Sequence, residues 1–432
     1  MVELYPSQQE MLDEIKDKTR CAIYAGVGSG KTFIGSEKLM SFGTSWNLVI
    51  CQKSQVEYWV NHFQTHYPKV TVTDLTQRGN LSLGNLRPGV MVINYELVWR
   101  RPILSTLRNF SLMLDESSMI QNMSAKRTKF ILKLNPTNVV LLSGTPVSGG
   151  KIDREKGLIF GRYENLISQL HLLGWKISQK AFWEKYVNWD LKRYGEVRVK
   201  EVVSYKNIVE LNDTLKRLGC VFRRTEDIVE LPDENDQHYH VGITSEYKKM
   251  LRNGIVEVDD TKLIADFPAT KFMRLRQLCG AYNKDKLAML SDLLDTLENE
   301  RVIIFYSFVE DVERIKKLLG DRPVSQINGA VKDLTAYEEH DNAVVLCQYQ
   351  SGARGHNLQK GGYIIYFDPT VSPELFDQSR GRIRRDGQTR SVVNYYHLLV
   401  RGSIEERILD KVSQGLEYTV DDYINDYERN EE

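Results

Sequence analysis

The sequence predicts an α/β protein with two parallel-sheet halves and, between them, a mainly helical insertion carrying a β-hairpin. Three observations lead there. Short apolar β-rich runs alternate with helical stretches through the first part of the chain. The same rhythm restarts near Val302. The stretch between them lacks it. Repeated strand, turn and helix is the pattern of a parallel sheet with crossover helices. A length of 432 residues, at roughly 150 residues per domain, suggests two or three domains. The expected boundaries are 1–150 for the first half, 151–285 for the insertion and inter-lobe region, and 286–432 for the second half with an acidic tail.

In order along the chain, Cys21 to Tyr24 is a small strand that ends in a glycine-rich turn. Asn47 to Cys51 and Val90 to Asn94 follow as strands. Leu112 to Leu114 runs into Asp115-Glu116, and Val139 to Leu142 runs into Ser143-Gly144-Thr145-Pro146. Gly149 and Gly150 mark the start of the insertion. In the second half Val302 to Tyr306, Val344 to Leu346, Tyr363 to Phe367 and Val392 to Leu399 read as strands, with Val309 to Leu319 helical.

Hydrophobic residues make up 41% and charged residues 27%, enough apolar material for ordinary cores. Lys plus Arg and Asp plus Glu are both 58, which excludes a histone-like basic protein but not a local basic groove. Glu417 to Glu432 is strongly acidic, so the remainder is positive and favours an anionic partner. No apolar run approaches the roughly 20 residues of a membrane span, and the first residues lack a signal-peptide pattern. Five scattered cysteines without a C-x-x-C pair point to reduced thiols, no zinc site and a cytoplasmic setting.

The glycine-rich turn is Ala25-Gly26-Val27-Gly28-Ser29-Gly30-Lys31-Thr32. It misses the strict G-x-x-x-x-G-K-[ST] pattern only at Ala25. Gly28 and Gly30 let backbone N–H groups, with that of Ser29, face phosphate oxygens without a Cβ in the way, and the following helix N-terminus adds partial positive charge. Lys31 can reach terminal phosphates and Thr32 can ligate Mg²⁺. Asp115 at a strand end supplies a metal-binding acid, and Glu116 beside it can polarise an attacking water. The chemistry expected is hydrolysis of a terminal phosphate with Mg²⁺, and the resemblance below makes the nucleotide ATP.

These residues resemble superfamily 2 helicases and translocases, in particular the Swi/Snf-like branch, over nearly the whole chain. That branch implies two RecA-like lobes with ATP between them and DNA across both. Leu4-Tyr5-Pro6-Ser7-Gln8 looks like the adenine-recognition element, with Gln8 on the adenine edge. Leu48 to Gln52, with Lys53, Ser54 and Trp59, looks like motif Ia. Val92-Ile93-Asn94-Tyr95-Glu96 looks like the next DNA-contacting motif. The resemblance assigns Lys53, Ser54 and Asn94 to DNA. Ser118 stands where the family has His, which puts that position's contact with motif III in doubt. Ser143 and Thr145 of motif III would link the nucleotide to DNA. Phe222-Arg223-Arg224-Thr225 and Leu275-Arg276-Gln277-Leu278-Cys279 match the branch and are expected with the second half. Ile303 to Ser307 resembles motif IV. Ser351 to Leu358 resembles motif V, with Arg354 toward DNA and Gly355 in coupling. His356 replaces the branch's Leu and is assigned no chemistry. Gln378-Ser379-Arg380-Gly381-Arg382-Ile383-Arg384-Arg385 matches Q-x-x-G-R-x-x-R, and Ser403 to Ile408 closes the branch signature. Gln378 would couple the sites. An Arg delivered from another domain stabilises the transferring phosphoryl. Arg385 is the first choice for this finger and Arg382 the second.

Between Trp175 and Lys206, basic residues interleave with Trp175, Phe182, Trp183, Tyr186, Trp189, Tyr194 and Tyr205, a mixture that suits single strands. Asp190–Tyr194 and Val197–Val203 read as a hairpin turning near Gly195, with Tyr194 near its tip as a candidate wedge. A packing hairpin is the alternative. Three functions stay open: an ATP-driven helicase on forked or branched DNA, a duplex translocase that remodels protein–DNA complexes without unwinding, and a nucleotide-controlled binding protein with little turnover. The resemblance favours DNA over RNA and a compact phage- or prokaryote-type motor.

Overall fold

The structure, a computed structural model, describes residues 4–26, 28–77, 87–147, 151–152, 159–194, 197–352 and 357–428. The chain divides into two compact units, Met1–Glu230 and Leu231–Glu432.

The strands of unit 1 are β1 (Arg20–Ala25), β2 (Trp46–Cys51), β3 (Val72–Asp74), β4 (Gly89–Asn94), β5 (Phe110–Asp115), β6 (Asn138–Ser143), the short pair β7 (Lys151–Ile152) and β8 (Ile159–Phe160), the hairpin β9 (Val187–Tyr194) and β10 (Val197–Tyr205), and β11 (Cys220–Arg223). Its helices are α1 (Pro6–Glu14), α2 (Lys31–Ser41), α3 (Val56–His66), α4 (Tyr95–Val98), α5 (Lys126–Lys133), α6 (Ile167–Leu172), α7 (Gln179–Tyr186) and α8 (Ile208–Arg217). Seven strands form one parallel sheet in the order β11-β1-β6-β5-β2-β4-β3. Successive side chains point to opposite faces. Ala22 and Tyr24 enter one core, while Cys21, Ile23 and Ala25 enter the other. Apolar material on both faces is why these strands read as unbroken hydrophobic runs. All strands being parallel, every carboxyl end lies along one edge. The loops after β1, β2, β4, β5 and β6, which carry the candidate motifs of this half, therefore share that edge.

Unit 2 repeats the plan. Its strands are β12 (Asp233–Val241), the hairpin β13 (Ile255–Val258) and β14 (Thr261–Ile264), then β15 (Val302–Tyr306), β16 (Val324–Ile327), β17 (Lys332–Asp333), β18 (Val344–Gln348), β19 (Tyr363–Tyr366) and β20 (Val392–Val400). Its helices are α9 (Ser245–Asn253), α10 (Pro268–Cys279), α11 (Lys284–Thr296), α12 (Val309–Leu318), α13 (Thr335–Glu339), α14 (Tyr349–Gly352), α15 (Pro373–Arg380), α16 (Ile404–Ser413) and α17 (Val420–Tyr423). The sheet order is β12-β20-β19-β15-β18-β16-β17, parallel except for the β16–β17 pair.

The two sheets and the hairpin are as expected. The stretch 151–285 is not a region of its own: it is shared between the units. Gly219, at φ 86°, turns the chain after α8; a Cβ there would lie 2.9 Å from the Arg20 carbonyl oxygen. Cys220, Val221 and Phe222, all buried, then add β11 beside β1. Phe222-Arg223-Arg224-Thr225 thus belongs to unit 1, not to the second half. Ten residues after Arg223, β12 begins the other sheet by pairing with β20 along nine positions.

Candidate functional site

The glycine loop joins β1 to α2. Gly28 (φ 83°) and Gly30 (φ 76°) hold left-handed backbone, which glycine adopts without steric cost. A Cβ on Gly30 would lie 2.2 Å from Gln8 Nε2, and one on Gly26 would lie 2.2 Å from Thr225 Oγ1. Glycine is therefore required by close packing as well as by φ. Gly26 N donates to Arg223 O (3.1 Å), so β11 and Thr225 form the back wall of the loop. Lys31 Nζ donates to Ala25 O (2.7 Å) and Gly26 O (2.8 Å). Thr32 is half-buried in the first turn of α2. Gln8, expected on an adenine edge, has both amide ends engaged: Oε1 accepts from Tyr5 N (3.0 Å) and Nε2 donates to Ser29 O (3.2 Å).

Phosphate fits this loop. Ser29 Oγ is fully buried and has no hydrogen-bond partner. The N-terminus of an 11-residue helix follows, carrying roughly half a positive charge. For Mg²⁺, the hydroxyl of Thr32 and the carboxylate of Asp115 are hard oxygen donors of the right kind. No cluster of three or more His, Cys, Asp or Glu among the described residues could hold a metal alone, so such an ion would need phosphate oxygens as well.

Asp115 ends β5. Burial, and then the neighbouring Glu116 charge, push its carboxyl up to about 6, against the pull of a hydrogen bond from Trp59. Trp59 Nε1 donates to Asp115 Oδ2 at 2.8 Å. Glu116 takes a left-handed backbone (φ 54°, ψ 63°), a conformation that costs about 1–3 kcal/mol outside glycine and persists only where its surroundings enforce it. Glu116 Oε2 accepts from Ser143 Oγ (3.2 Å), whose oxygen in turn accepts from Thr145 N (3.1 Å). The acid pair and the Ser143–Thr145 turn are thus joined directly. A second link avoids Ser118. Ser117 Oγ (2.7 Å) and the Tyr24 hydroxyl (2.8 Å) both donate to Gln169 Oε1, and Gln169 Nε2 donates to Pro146 O (2.9 Å). Gln169 carries no motif signal, and the sequence assigns no site role to Tyr24, read as a strand residue, or to Thr225, read as part of a branch motif.

The remaining candidates are more scattered. Lys53 is exposed and Ser54 half-buried in a 3-10 turn after β2; Asn94 ends β4 and is buried. In unit 2, Gln378 lies buried on α15, and its Nε2 donates to Glu374 Oε1 (3.1 Å). Arg382 and Arg385 follow the end of α15. Arg382 is buried, with Nε donating to Gln378 O (3.1 Å), and Arg385 is half-buried. Arg354, Gly355 and His356 lie outside the described residues, as does the side chain of Tyr194.

The interleaved aromatics of 175–205 are mostly packing groups, a correction to the single-strand reading. Phe182 and Tyr186 are core residues, and Trp175 meets Tyr186 edge-on. Tyr205 packs edge-on against Tyr163 and donates to Glu164 (2.7 Å), anchoring the hairpin base. Trp189 alone of the seven is described as exposed, with Lys200 Nζ 3.6 Å from its ring centroid.

Two doubly wound sheets and a phosphate loop with an acid pair on an inner strand define the class: a P-loop protein with a duplicated α/β plan. The chain matches the SNF2-related domain over residues 13–286 and the helicase conserved C-terminal domain over residues 285–387. It belongs to the SNF2-related family. It is 23% identical to the "Uncharacterized ATP-dependent helicase MG018" of Mycoplasma genitalium, over 86% of this chain and 36% of that protein. It is 22% identical to the "Putative ATP-dependent helicase/translocase YwqA" of Bacillus subtilis, over 84% of this chain and 41% of that protein. The chain thus spans 36–41% of the length of these curated relatives. A solved structure, the Sulfolobus solfataricus SWI2/SNF2 ATPase core in complex with dsDNA, is similar at a TM-score of 0.43 and 17% identity, covering 95% of this chain and 91% of that chain.

Proposed function

We propose that the chain is a DNA-dependent ATPase that moves along DNA and acts on forked or branched substrates. The observation that carries this reading is the single sheet edge of unit 1. It gathers the phosphate loop, Asp115–Glu116 and the Ser143–Thr145 turn, the last two joined by hydrogen bonds through Glu116, Ser143 and Thr145. Gly28, Ser29 and Gly30 present backbone and hydroxyl donors to phosphates, and Lys31 adds a point charge. Asp115 and Thr32 would hold Mg²⁺, which when bound neutralises charge developing on the phosphates. Glu116, oriented by Ser143, accepts a proton from the attacking water. Arg385, with Arg382 second, is the guanidinium proposed to stabilise the transferring phosphoryl. Lys53, Ser54, Asn94 and Arg354 are proposed DNA contacts, made to phosphates and therefore of low sequence specificity. The names of the curated relatives, ATP-dependent helicase and helicase/translocase, support the motor part of this reading.

Strand separation is assigned to the β9–β10 hairpin. Its described residues Trp189, Leu191, Arg193, Arg198 and Lys200 are exposed, which presents apolar and cationic groups on the ribbon. The test is a paired assay. Replacing residues 192–198 with a short Gly-Ser turn is expected to keep DNA-stimulated ATP hydrolysis near wild type and sharply reduce unwinding of forked DNA. Unwinding at the wild-type rate would return the hairpin to a packing role and favour a duplex translocase. Absence of ATP hydrolysis with any DNA would end the motor reading altogether.

A further inference from the structure

The nucleotide site makes no use of the carboxyl ends of β2 and β4. These strands are neighbours, with Cys51 opposite Asn94. Gln52, the next residue, is 7% exposed, yet its Nε2 has no protein partner. Asn94 is 2% exposed. Its Nδ2 donates to Glu96 Oε2 at 2.6 Å, which fixes the amide's orientation, and its Oδ1 has no partner. A buried donor and a buried acceptor thus stand at the ends of two adjacent strands. Each costs about 1–3 kcal/mol if left unpaired, so buried open groups of this kind need an explanation such as a ligand that completes them. Lys53 and Ser54 beside them supply a cation and a hydroxyl, the groups that meet a sugar–phosphate backbone.

The same two segments also reach the acid pair. Trp59, in the first turn of α3, donates through Nε1 to Asp115 Oδ2. Tyr95, directly after Asn94, donates through its hydroxyl to the backbone oxygens of Asp115 (2.9 Å) and Glu116 (3.3 Å). That places a donor on the backbone that holds Glu116 in its left-handed conformation. Both rings are fully buried. Trp59 stacks on Phe63 (centroids 5.8 Å apart) and meets His62 edge-on. His62 Nε2 in turn lies 2.9 Å from Ser36 Oγ on α2, the helix that begins at Lys31. The indole cannot turn without moving this stack, so a displacement of α3 is carried to the Asp115 carboxylate.

Taking the ATP-driven reading as given, we propose that Trp59 and Tyr95 are positioning residues. Through them a DNA strand seated on Gln52 and Asn94 sets the geometry of Asp115 and Glu116. Part of the stimulation of hydrolysis by DNA is then built into unit 1 alone, by a route separate from the Ser143–Thr145 turn.

The test uses the whole chain. Trp59→Phe and Tyr95→Phe keep a ring and remove the donor. Each is expected to lower kcat at saturating duplex DNA by ~10-fold, the scale of one hydrogen bond to a charged or strained group. KM for ATP, DNA affinity measured with a labelled duplex, and the thermal midpoint are expected to stay near wild type. A merely structural role would move the midpoint and leave kcat. Tyr95→Phe removes one oxygen and carries the test alone if Trp59→Phe does not fold. Gln52→Leu is expected to weaken duplex binding several-fold with KM for ATP unchanged. The proposal is overturned if both ring variants retain wild-type kcat, if kcat falls only in step with the thermal midpoint, or if Gln52→Leu binds DNA normally. Wild-type protein without DNA-stimulated hydrolysis would overturn the motor reading itself; a stimulated wild type with unaffected variants overturns this proposal alone.

Discussion

In unit 1, beside the Asp115–Glu116 pair, several neutral groups at the carboxyl edge of the sheet keep a buried atom without a protein partner: Ser29 Oγ, Gln52 Nε2, Asn94 Oδ1 and Thr145 Oγ1. In unit 2 the matching edge buries charge and pairs it internally. Asp368, after β19, accepts from Ser307 N (2.9 Å) and from Arg276 Nη2 (3.4 Å). Lys286 on α11 and Glu405 on α16 are both essentially unexposed; Lys286 Nζ donates to both Glu405 oxygens (2.7 and 2.8 Å), and Val400 N donates to one of them (3.0 Å). Burial, and then the nearby Asp368 charge, push the Asp311 carboxyl well up; backbone N–H groups of Ala281 and Phe308 satisfy its oxygens. The same architecture thus serves two ends. One edge keeps neutral polar atoms open. The other pairs its buried carboxylates and Lys286 internally and acts as a frame, with Arg276 Nε left open. Two of the branch's sequence signatures, around Arg276 and around Glu405, are accounted for by that frame without any ligand.

The largest expected effect tests whether unit 2 also contributes to chemistry. Arg385→Ala is expected to lower kcat for ATP by roughly 10³-fold or more, with ATP affinity within a few-fold of wild type. Steady-state hydrolysis beside binding of an ATP analogue separates the two. A fall in affinity with unchanged kcat would make Arg385 a ground-state contact. Glu116→Gln in unit 1 is expected to bind ATP and lose turnover.

The next prediction contrasts two burials of equal depth. Lys286→Met strands the Glu405 carboxylate and is expected to cost about 3–5 kcal/mol. Ser29→Ala, which removes a buried oxygen with no protein partner, is expected to leave stability unchanged or to raise it, by up to about 1–3 kcal/mol. Urea unfolding measures both, and equal costs would erase the distinction between open edge and frame. Smaller again, Gly26→Ala forces a methyl against Thr225 and is expected to cost about 1–3 kcal/mol along with ATP affinity. A normal variant would show that β11 can retreat from the loop.

The mildest effect is on acid stability. Burial of Asp236 opposes its charge, but Arg380, bonded to both its oxygens (2.7 Å each), and His397 (3.1 Å) override it and hold the carboxyl below the usual range. A depressed carboxylate contributes stability that is present above its unfolded value of about 4 and lost as pH falls below it. Asp236→Asn should therefore flatten the fall of the thermal midpoint below that pH. An unchanged acid limb would mean the pair contributes nothing.

The central strands were legible because both faces are buried: Val302–Tyr306 carries no polar residue to confuse the reading. The edges were not. Asp233–Val241 pairs along its whole length with β20, yet half of it faces solvent and it reads Asp-Glu-Asn-Asp-Gln-His-Tyr-His-Val. Cys220–Arg223 has four residues, too few for a periodicity, and its neighbour is set by a contact with β1 far back in the chain. In the site, the loop and acids announce themselves by spacing, because chemistry fixes their separation. Gln169, Thr225 and the bonds of Trp59 and Tyr95 depend on which surfaces meet in three dimensions, and no local pattern records that.

The pairing of β11 with β1, Ala22 opposite Cys220, bears on the order of synthesis. At roughly 5–20 residues per second, the ribosome delivers β11 on the order of ten seconds or more after β1. Until then the strand that feeds the phosphate loop has an open edge, and Gly26 lacks its wall. The second sheet has the same character, since β12 emerges early and waits for β20. Contacts so distant in sequence make for slow closure and for dependence on whole units rather than fragments. A chain cut at residue 150 would contain every residue of the loop and acid pair and lack the strand that braces them, whereas a cut at 230 would contain both.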